Sequence, residues 1–419
     1  MGSLRETRGD SVLRKTHSRL ELHKIMTINK TAFASSNQHQ RLHSSNNRPL
    51  SKGLATIAIA LMTLGFMGVN LFNFESYVIF TFRFFLVLVI AILLASELRD
   101  ARIHRLMLVV GAIAAISAIT SSIMMNLLFI AFFVFATRSL SIQFLAKVSV
   151  IVLGIAIVTT YAVLYFGTLI SDEDVLGVAF ELGGGLRSRM NFGYNNPNNF
   201  PSIVSAFCLL LMMSGKHAFI RCLVALTLSI NVYDQTDSRT MIVATSFFIV
   251  YVATLSFFAR YTRMLFILST TLLLSVVVIS LFPEFFVSQF PILDFYLSGR
   301  LFIVSSYYSE IPAFRLLIGG MDPTVGVGTV GTAVDNSFAL ITGAAGVPAL
   351  FYVISRLLSK IRHCILASDH RLHAFLISFW LFSFAESSLV RPEVIIGLLF
   401  WAVILRPNDF LNYTKPSKV

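Results

Sequence analysis

The sequence is poor in charged residues. Asp, Glu, Lys and Arg make up 13% of its 419 residues, whereas a typical soluble protein carries about 25%. Hydrophobic residues reach 56% instead, and they are collected in apolar runs of membrane-spanning length. The composition therefore excludes an ordinary soluble domain and predicts an all-α polytopic integral membrane protein.

Cysteine is scarce, and no internal repeat is evident. Cys208 and Cys222 lie in apolar runs and Cys364 in a basic segment, which gives neither a disulfide framework nor a zinc-site spacing. The acidic triplet Asp172–Asp174 has no supporting ligand motif, so we expect no metal and no other cofactor. The absence of a repeat weighs against the repeat-built transporter folds.

The apolar runs predict about twelve transmembrane helices. Several runs are shorter than the ~20 residues that a full crossing needs, so one weak pair is compatible with a re-entrant segment. The runs lie at about 54–73, 77–96, 106–121, 123–137, 148–169, 201–215, 218–233, 240–258, 264–282, 337–355, 373–390 and 393–405.

The polar segments divide the chain into three parts. Residues 1–52 form a basic arm without hydrophobic periodicity, which we expect to be disordered and cytoplasmic. Residues 53–406 form the transmembrane domain, and residues 407–419 a short cytoplasmic tail. Within the domain, segments 170–200 and 283–336 are expected to be functional outer loops, because connections of this length rarely serve as plain connectors.

Basic residues are distributed unevenly between the two sides of the membrane. With the arm inside, the cytoplasmic loops and tail carry sixteen Lys and Arg residues and the outer side six. This asymmetry predicts cytoplasmic termini. It also accounts for the net charge of +12, so no nucleic-acid partner is expected. The outer cations are all arginines: Arg187, Arg189, Arg239, Arg300, Arg315 and Arg391.

The outer arginines predict a phosphate-binding site. A guanidinium offers a planar fork of donors that grips phosphate through two hydrogen bonds and stays charged. Since these arginines come from several segments, they are able to converge at the outer membrane surface. The alternative is that they pair with nearby carboxylates or lipid headgroups.

Glu386 lies within an apolar run, where an ionisable group is costly, and Arg391 is its expected partner.

The segment after Arg189 carries neutral polar residues. Tyr194, Asn195 and Asn198 precede an apolar run and offer amides and a ring of the kind that recognise sugar hydroxyls. The alternative is a helix start, since Asn is a favoured N-cap and Pro201 suits the first turn. The two interpretations do not exclude each other.

Five short motifs occur in an order that resembles a known family. They are GYNNPNNF (Gly193–Phe200), TDSRT (Thr236–Thr240), SGR (Ser298–Arg300), LLIGG (Leu316–Gly320) and DNSFALITGAAG (Asp335–Gly346). Together with the topology of residues 55–405, the set resembles the bacterial polysaccharide polymerases of the Wzy type, which are related to the O-antigen ligases.

The resemblance implies a reaction at the outer face of the bacterial inner membrane. A sugar chain leaves its polyprenyl diphosphate and is transferred to a sugar hydroxyl of a new lipid-linked repeat unit. The donor is already activated, so no nucleotide or other cofactor is implied. A flippase and a chain-length regulator are the implied protein partners, beside the lipid-linked donor, the acceptor and the membrane lipid.

Roles follow for individual residues. Arg239 and Arg300 are the predicted ligands of the departing diphosphate. Asp335 occupies the position where the ligases carry a histidine, and it is the predicted general base, although Asp-Asn at a helix start is also typical of an N-cap. Glu310 or Asp237 is the next candidate base. The further predicted substrate contacts are Arg187, Arg189, Tyr194, Asn195, Asn198, Glu310, Arg315, Asn336 and Arg391.

Two other functions would use the same lipid-linked sugar. An O-antigen ligase is disfavoured because no histidine occurs between His217 and His363. A flippase would need charged groups along a central cavity, whereas the ionisable residues within the apolar runs are few, mainly Arg83 and Glu386. The sequence therefore favours a polymerase.

Overall fold

In the computed structural model the described residues are 48–71, 76–97, 122–166, 176–180, 186–190, 198–214, 217–297, 299–321, 334–391 and 394–406, with positions 192, 194 and 196. Asp172–Asp174, Asn195, most of the basic arm and the tail lie outside these ranges, and so do the side chains of Arg187 and Arg189. The chain divides into two units, Met1–Lys52 and Gly53–Val419. The account below concerns the second unit.

The described chain is helical, which confirms the predicted class of fold. Its helices, in chain order, are α1 (Arg48–Asn70), α2 (Ser76–Glu97), α3 (Ser122–Ala136), α4 (Ile142–Phe166), α5 (Asn199–Met213), α6 (Ala218–Thr236), α7 (Arg239–Phe257), α8 (Thr262–Leu281), α9 (Pro283–Gln289), α10 (Pro291–Tyr296), α11 (Arg300–Ser309), α12 (Ala313–Ile318), α13 (Ser337–Ala345), α14 (Val347–Leu366), α15 (His370–Ala385) and α16 (Ile395–Leu405).

One short hairpin departs from the all-α prediction. Strand β1 (Leu176–Phe180) pairs antiparallel with β2 (Leu186–Met190), so that Leu176 lies opposite Met190. Leu176–Phe180 is a continuous apolar run, and periodicity alone does not distinguish a short strand of this kind from a buried helical segment. The predicted outer loop 170–200 therefore contains regular structure.

Among the described residues, four helices are long and apolar enough to cross a membrane. They contain the segments Pro49–Gly68, Ile142–Phe166, Arg239–Phe257 and Thr262–Leu281. Shorter apolar helices add Thr81–Ala95, Ile123–Ala136, Asn199–Met213 and Ile395–Leu405. These features indicate a membrane-embedded protein. The total of about twelve spans stays a prediction.

The long segment after α8 is folded rather than an extended loop. Its first part forms α9 to α12, each of 6 to 10 residues. Pro283 and Pro291 occupy the first turns of α9 and α10, where a missing N–H costs nothing. The side chain of Asp294 accepts hydrogen bonds from the N–H groups of Leu301 and Phe302 and so stabilises the start of α11. Helices this short need tertiary contacts to be stable.

Those contacts are made at a break in the predicted apolar run 337–355. The run is split at Gly346, whose φ of +82° ends α13 and precedes α14. A Cβ at Gly346 would lie 2.3 Å from the carbonyl oxygen of Leu317 in α12, and a Cβ at Gly343 would lie 2.0 Å from the Tyr307 hydroxyl of α11. Glycine is therefore required where the short helices pack on α13.

A second set of buried contacts joins α3, α14 and α16. The guanidinium of Arg406, directly after α16, donates to the carbonyl oxygens of Thr137 and Leu140 at 2.7 Å, and Lys360 of α14 donates to the Arg406 carbonyl. We call these four residues the Arg406 cluster. The distribution of basic residues predicts that Lys360, Arg406 and the segment around Arg138 lie on the cytoplasmic side of the membrane, and these parts of the chain meet here.

Candidate functional site

Arg300 is the centre of the candidate site. It begins α11 directly after Gly299, whose φ is +75°. Its side chain is 17% exposed, and Nη2 lies 3.2 Å from Oε1 of Glu386. Nη1 donates to the hydroxyl of Thr240, the second residue of α7, at 3.4 Å. One guanidinium thus joins the start of α11 to the first turn of α7 and to the residue just after α15.

The predicted partner of Glu386 was wrong. Glu386 pairs with Arg300, which is 86 positions away in the sequence, rather than with Arg391. The i+5 expectation assumed a continuing helix, but α15 ends at Ala385 and Glu386 has extended backbone. Arg391 still contributes, because its positive charge acts on the carboxyl group of Glu386.

The turn that carries Glu386 is fixed by three contacts. The Ser337 hydroxyl donates to the carbonyl oxygen of Glu386 at 2.6 Å and accepts from the N–H of Leu389 at 3.1 Å. The indole of Trp401 donates to the Leu389 carbonyl at 2.8 Å. A Cβ at Gly397 would lie 2.2 Å from the Ser388 carbonyl oxygen. Since Ser337 begins α13, this helix sets the position of the carboxylate.

Asp335 and Asn336 have different roles at the start of α13. Asn336 is the N-cap, because its Oδ1 accepts from the N–H groups of Phe338 and Ala339 at 2.9 and 3.0 Å. Its Nδ2 donates to Ser280 of α8 at 3.1 Å. The capping alternative considered for Asp335 therefore belongs to its neighbour. Asp335 is half-buried, and its charge acts on both Arg300 and Glu386.

Burial and the neighbouring charges act in opposite directions on the pKa values of Arg300 and Glu386. Burial would lower the pKa of Arg300, but Glu386 and Asp335 raise it above the usual arginine value. Burial raises the pKa of Glu386, which lies beyond the end of its helix, and Arg300 opposes that rise. Arg300 and Glu386 thus depend on each other, because removing one of the pair leaves the charge of the other without compensation. Arg300, Thr240, Asp335, Glu386 and Arg391 are called the Arg300 cluster below.

Arg239 lies beside the cluster. It starts α7, its side chain is 35% exposed, and Nε lies 3.8 Å from Oδ2 of Asp237. The contact with Arg300 is made by the next residue, Thr240. Asp237, proposed as an alternative base, has a φ of +49° at the end of α6, so this short turn presents a carboxylate and a guanidinium together.

Tyr194 is buried rather than presented for stacking. Its ring is fully buried, and its hydroxyl lies 3.0 Å from the hydroxyl of Thr160 in α4. It packs near Phe66 and Phe200, with ring centroids 6.3 and 5.9 Å apart. The guanidinium of Arg391 lies 5.9 Å from the Phe66 centroid. This aromatic group therefore supports Arg391 at the edge of the Arg300 cluster.

The other predicted contacts are more dispersed. Asn198 holds the N-cap position of α5 without a side-chain capping bond. Arg315 of α12 is half-buried, with its guanidinium 5.4 Å from the centroid of Phe314. Glu310, at the end of α11, is exposed. Arg187 and Arg189 lie in β2, opposite Ala179 and Gly177.

Sequence reasoning missed Thr240, Ser337 and Trp401. Thr240 lies inside the motif TDSRT and Ser337 directly after Asp335-Asn336, so both adjoin residues that were singled out. Thr240, Ser337 and Trp401 carry no charge, and no signal in the sequence pointed to them as site residues. Among the described residues, no group of three or more His, Cys, Asp or Glu side chains is arranged to hold a metal ion.

Compared with known protein families, curated proteins and solved structures, the chain shows no match.

Proposed function

We propose that the protein is a bacterial inner-membrane glycosyltransferase that polymerises polyprenyl-diphosphate-linked oligosaccharide repeat units at the outer face. The observation that carries this proposal is the Arg300 cluster. It joins a half-buried arginine with two carboxylates and a second arginine. An acid–base group and a cationic phosphate ligand are therefore side by side.

The chemistry assigns one task to each part of the cluster. The bond between the anomeric carbon of the growing chain and the diphosphate oxygen breaks, and the electron pair stays on the diphosphate. Arg300 and Arg391 stabilise that developing charge, a contribution that a fixed donor makes without reorganisation. The acceptor hydroxyl oxygen bonds to the anomeric carbon, and Asp335 takes up its proton. The products are the lengthened lipid-linked chain and free polyprenyl diphosphate.

The membrane arrangement belongs to the same proposal. About twelve spans with both termini in the cytoplasm would put the Arg300 cluster outside and the Arg406 cluster inside. In support, residues that the charge asymmetry assigned to the outer side meet around Arg300, and those assigned to the cytoplasm meet around Arg406.

The deciding experiment supplies a lipid-linked repeat unit to the purified protein. A ladder of products differing by one repeat unit is the expected result, and it should survive EDTA. Transfer of a single chain to a lipid A acceptor without a ladder would indicate a ligase. Movement of the lipid-linked unit across a vesicle membrane without any transfer would indicate a flippase, and either result overturns the proposal.

A further inference from the structure

A cleft of about 490 Å3 lies beside α9 and α11. Its volume is within the range of about 300–1,000 Å3 that is usual for small-molecule sites. Ser305, Tyr308 and Ser309 line it from α11, and Glu284, Phe285 and Ser288 line it from α9. The helix that begins with Arg300 therefore also forms a wall of this cleft.

The lining offers two kinds of contact. Phe285 and the adjoining Phe282 are more than half exposed, and with Tyr308 they present flat apolar rings. The serine hydroxyls and the Glu284 carboxylate supply hydrogen-bond acceptors, and the hydroxyls are also donors. A sugar ring has the matching surface, since it combines apolar C–H faces with hydroxyls around its edge.

The charge of the cleft differs from that of the Arg300 cluster. The lining residues include no lysine or arginine, and Glu284 adds a negative charge. A carboxylate with no lining cation beside it disfavours a phosphate or other anion in the same place. The cleft is therefore suited to an uncharged polyhydroxylated ligand.

The position of the cleft suits a lipid-linked substrate. It begins at Leu281, the last residue of a helix that is long and apolar enough to cross a membrane. Measured along the axis of α11, Ser305 lies about 7.5 Å and Ser309 about 13.5 Å beyond Arg300, at a rise of 1.5 Å per residue. At 3.6 residues per turn, Ser305 and Ser309 lie about 140° and 180° around α11 from Arg300, so a sugar chain whose diphosphate is bound at Arg300 has to pass around α11 to reach the cleft.

We propose that this cleft is a sugar-binding site for a neutral oligosaccharide portion of the lipid-linked repeat unit. The identity of that ligand rests on the proposed function. Binding of the chain here would orient its reacting end toward Arg300 and Asp335, which is the kind of positioning that raises the rate of a transfer step.

The test measures protection of an introduced cysteine. Ser305→Cys is placed in a Cys222→Ser background and treated with a polar thiol reagent, with and without the neutral oligosaccharide released from the lipid-linked unit by mild acid. We expect alkylation at least fivefold slower with the sugar present. Ser306→Cys is the matched control, because Ser306 is half-buried on the same helix but outside the cleft. If Ser305→Cys does not fold, Ser309→Cys replaces it.

The alternatives give different results. Inorganic pyrophosphate should leave the Ser305→Cys rate unchanged; protection by pyrophosphate would make the cleft an anion site and overturn the proposal. Absence of protection by the sugar overturns it as well. A product ladder from the parent protein, with equal chain lengths for Ser305→Leu and Ser306→Leu, would reject the cleft but keep the polymerase. Protection without any ladder would support the cleft and reject the polymerase.

Discussion

Two arginines of the chain, Arg406 and Arg300, differ in how they are bound. Arg406, just after α16, is 3% exposed. Its terminal nitrogens donate to two backbone carbonyls at 2.7 Å and to the Thr137 hydroxyl at 2.9 Å. Arg300 packs against Glu386, ahead of α16. Its contacts are longer, at 3.2 and 3.4 Å, and both go to side chains.

The difference shows which arginine is able to exchange partners. Backbone carbonyls are fixed by the helices and turns that carry them, so Arg406 cannot be released without disrupting the fold. Side-chain partners rotate, and Arg300 is 17% exposed. A diphosphate could therefore replace Glu386 at the fork of Arg300. We interpret Arg406 as a structural anchor and Arg300 as a ligand-binding group.

The largest expected effect is at Asp335, within the Arg300 cluster. Asp335→Asn keeps the shape of the side chain but cannot take up a proton, so the polymerisation rate should fall by about 10²–10⁴-fold. The thermal unfolding temperature should stay unchanged, because Asn336 and not Asp335 caps α13. Both quantities are measured on the purified protein, by product ladder and by thermal unfolding.

Asn336→Ala is the contrasting variant. It removes the cap and should lower the free energy of unfolding by about 0.5–2 kcal/mol. Full-length polymer from Asp335→Asn would exclude Asp335 as the base. In that case Glu386, which is next to Arg300, would take its place as the candidate to examine.

Arg300→Lys is expected to have the next largest effect. Lysine keeps the charge but loses the planar fork that binds two oxygens at once, so the rate should fall by about 10²-fold, comparable to removal of one transition-state donor. The control is Arg263→Lys, since Arg263 is exposed at the start of α8. A rate for Arg300→Lys within twofold of that control would make Arg300 a structural residue.

The sequence predicted the helical membrane class because composition and apolar runs depend on local residue types alone. It also singled out Arg300 and Asp335 in polar segments and Glu386 within an apolar run, and these three residues interact in the structure. It did not predict that Glu386 pairs with Arg300, because that contact depends on where α15 ends and on the packing of α11. The division of roles between Asp335 and Asn336 also required side-chain geometry.

The short helices show a second limit of sequence reasoning. Segment 283–336 was predicted as a loop, since no helical period is visible in pieces of 6 to 10 residues. Its helices exist because Pro283, Pro291 and Asp294 favour their starts and because Gly343 and Gly346 allow close packing on α13. The proline positions are local signals, but the packing on α13 that stabilises these short helices is tertiary, and the sequence gives no direct sign of it.

Ser337→Ala tests how firmly the Glu386 turn must be held. The change removes two hydrogen bonds to that turn, each worth about 0.5–1.5 kcal/mol, and we expect kcat to fall by about tenfold. The KM for the lipid-linked donor should stay unchanged, because Ser337 touches the turn and not the arginine fork. Steady-state kinetics at varied donor concentration separate the two constants.

Ser378→Ala is the matched control for that loss of a buried hydroxyl. The Ser378 hydroxyl is buried and makes no hydrogen bond within the described part of the chain, so its removal should change neither kcat nor KM. An equal fall in both serine variants would show that core packing, and not the position of Glu386, limits the rate.

The smallest effect on catalysis is expected at Arg406. Arg406→Lys keeps a charge near α3 but cannot span the carbonyls of both Thr137 and Leu140, so the free energy of unfolding should fall by about 2–4 kcal/mol, for the loss of one or two charged hydrogen bonds. Arg356→Lys is the control, because within the described part of the chain Arg356 makes one hydrogen bond, of 3.3 Å, to the Ile404 carbonyl. Thermal unfolding in detergent should separate the two variants, while polymer made per folded molecule stays within twofold of the parent for both. If Arg406→Lys made less polymer at an unchanged free energy of unfolding, Arg406 would contribute to the reaction. The interpretation of Arg406 as a structural anchor would then be wrong.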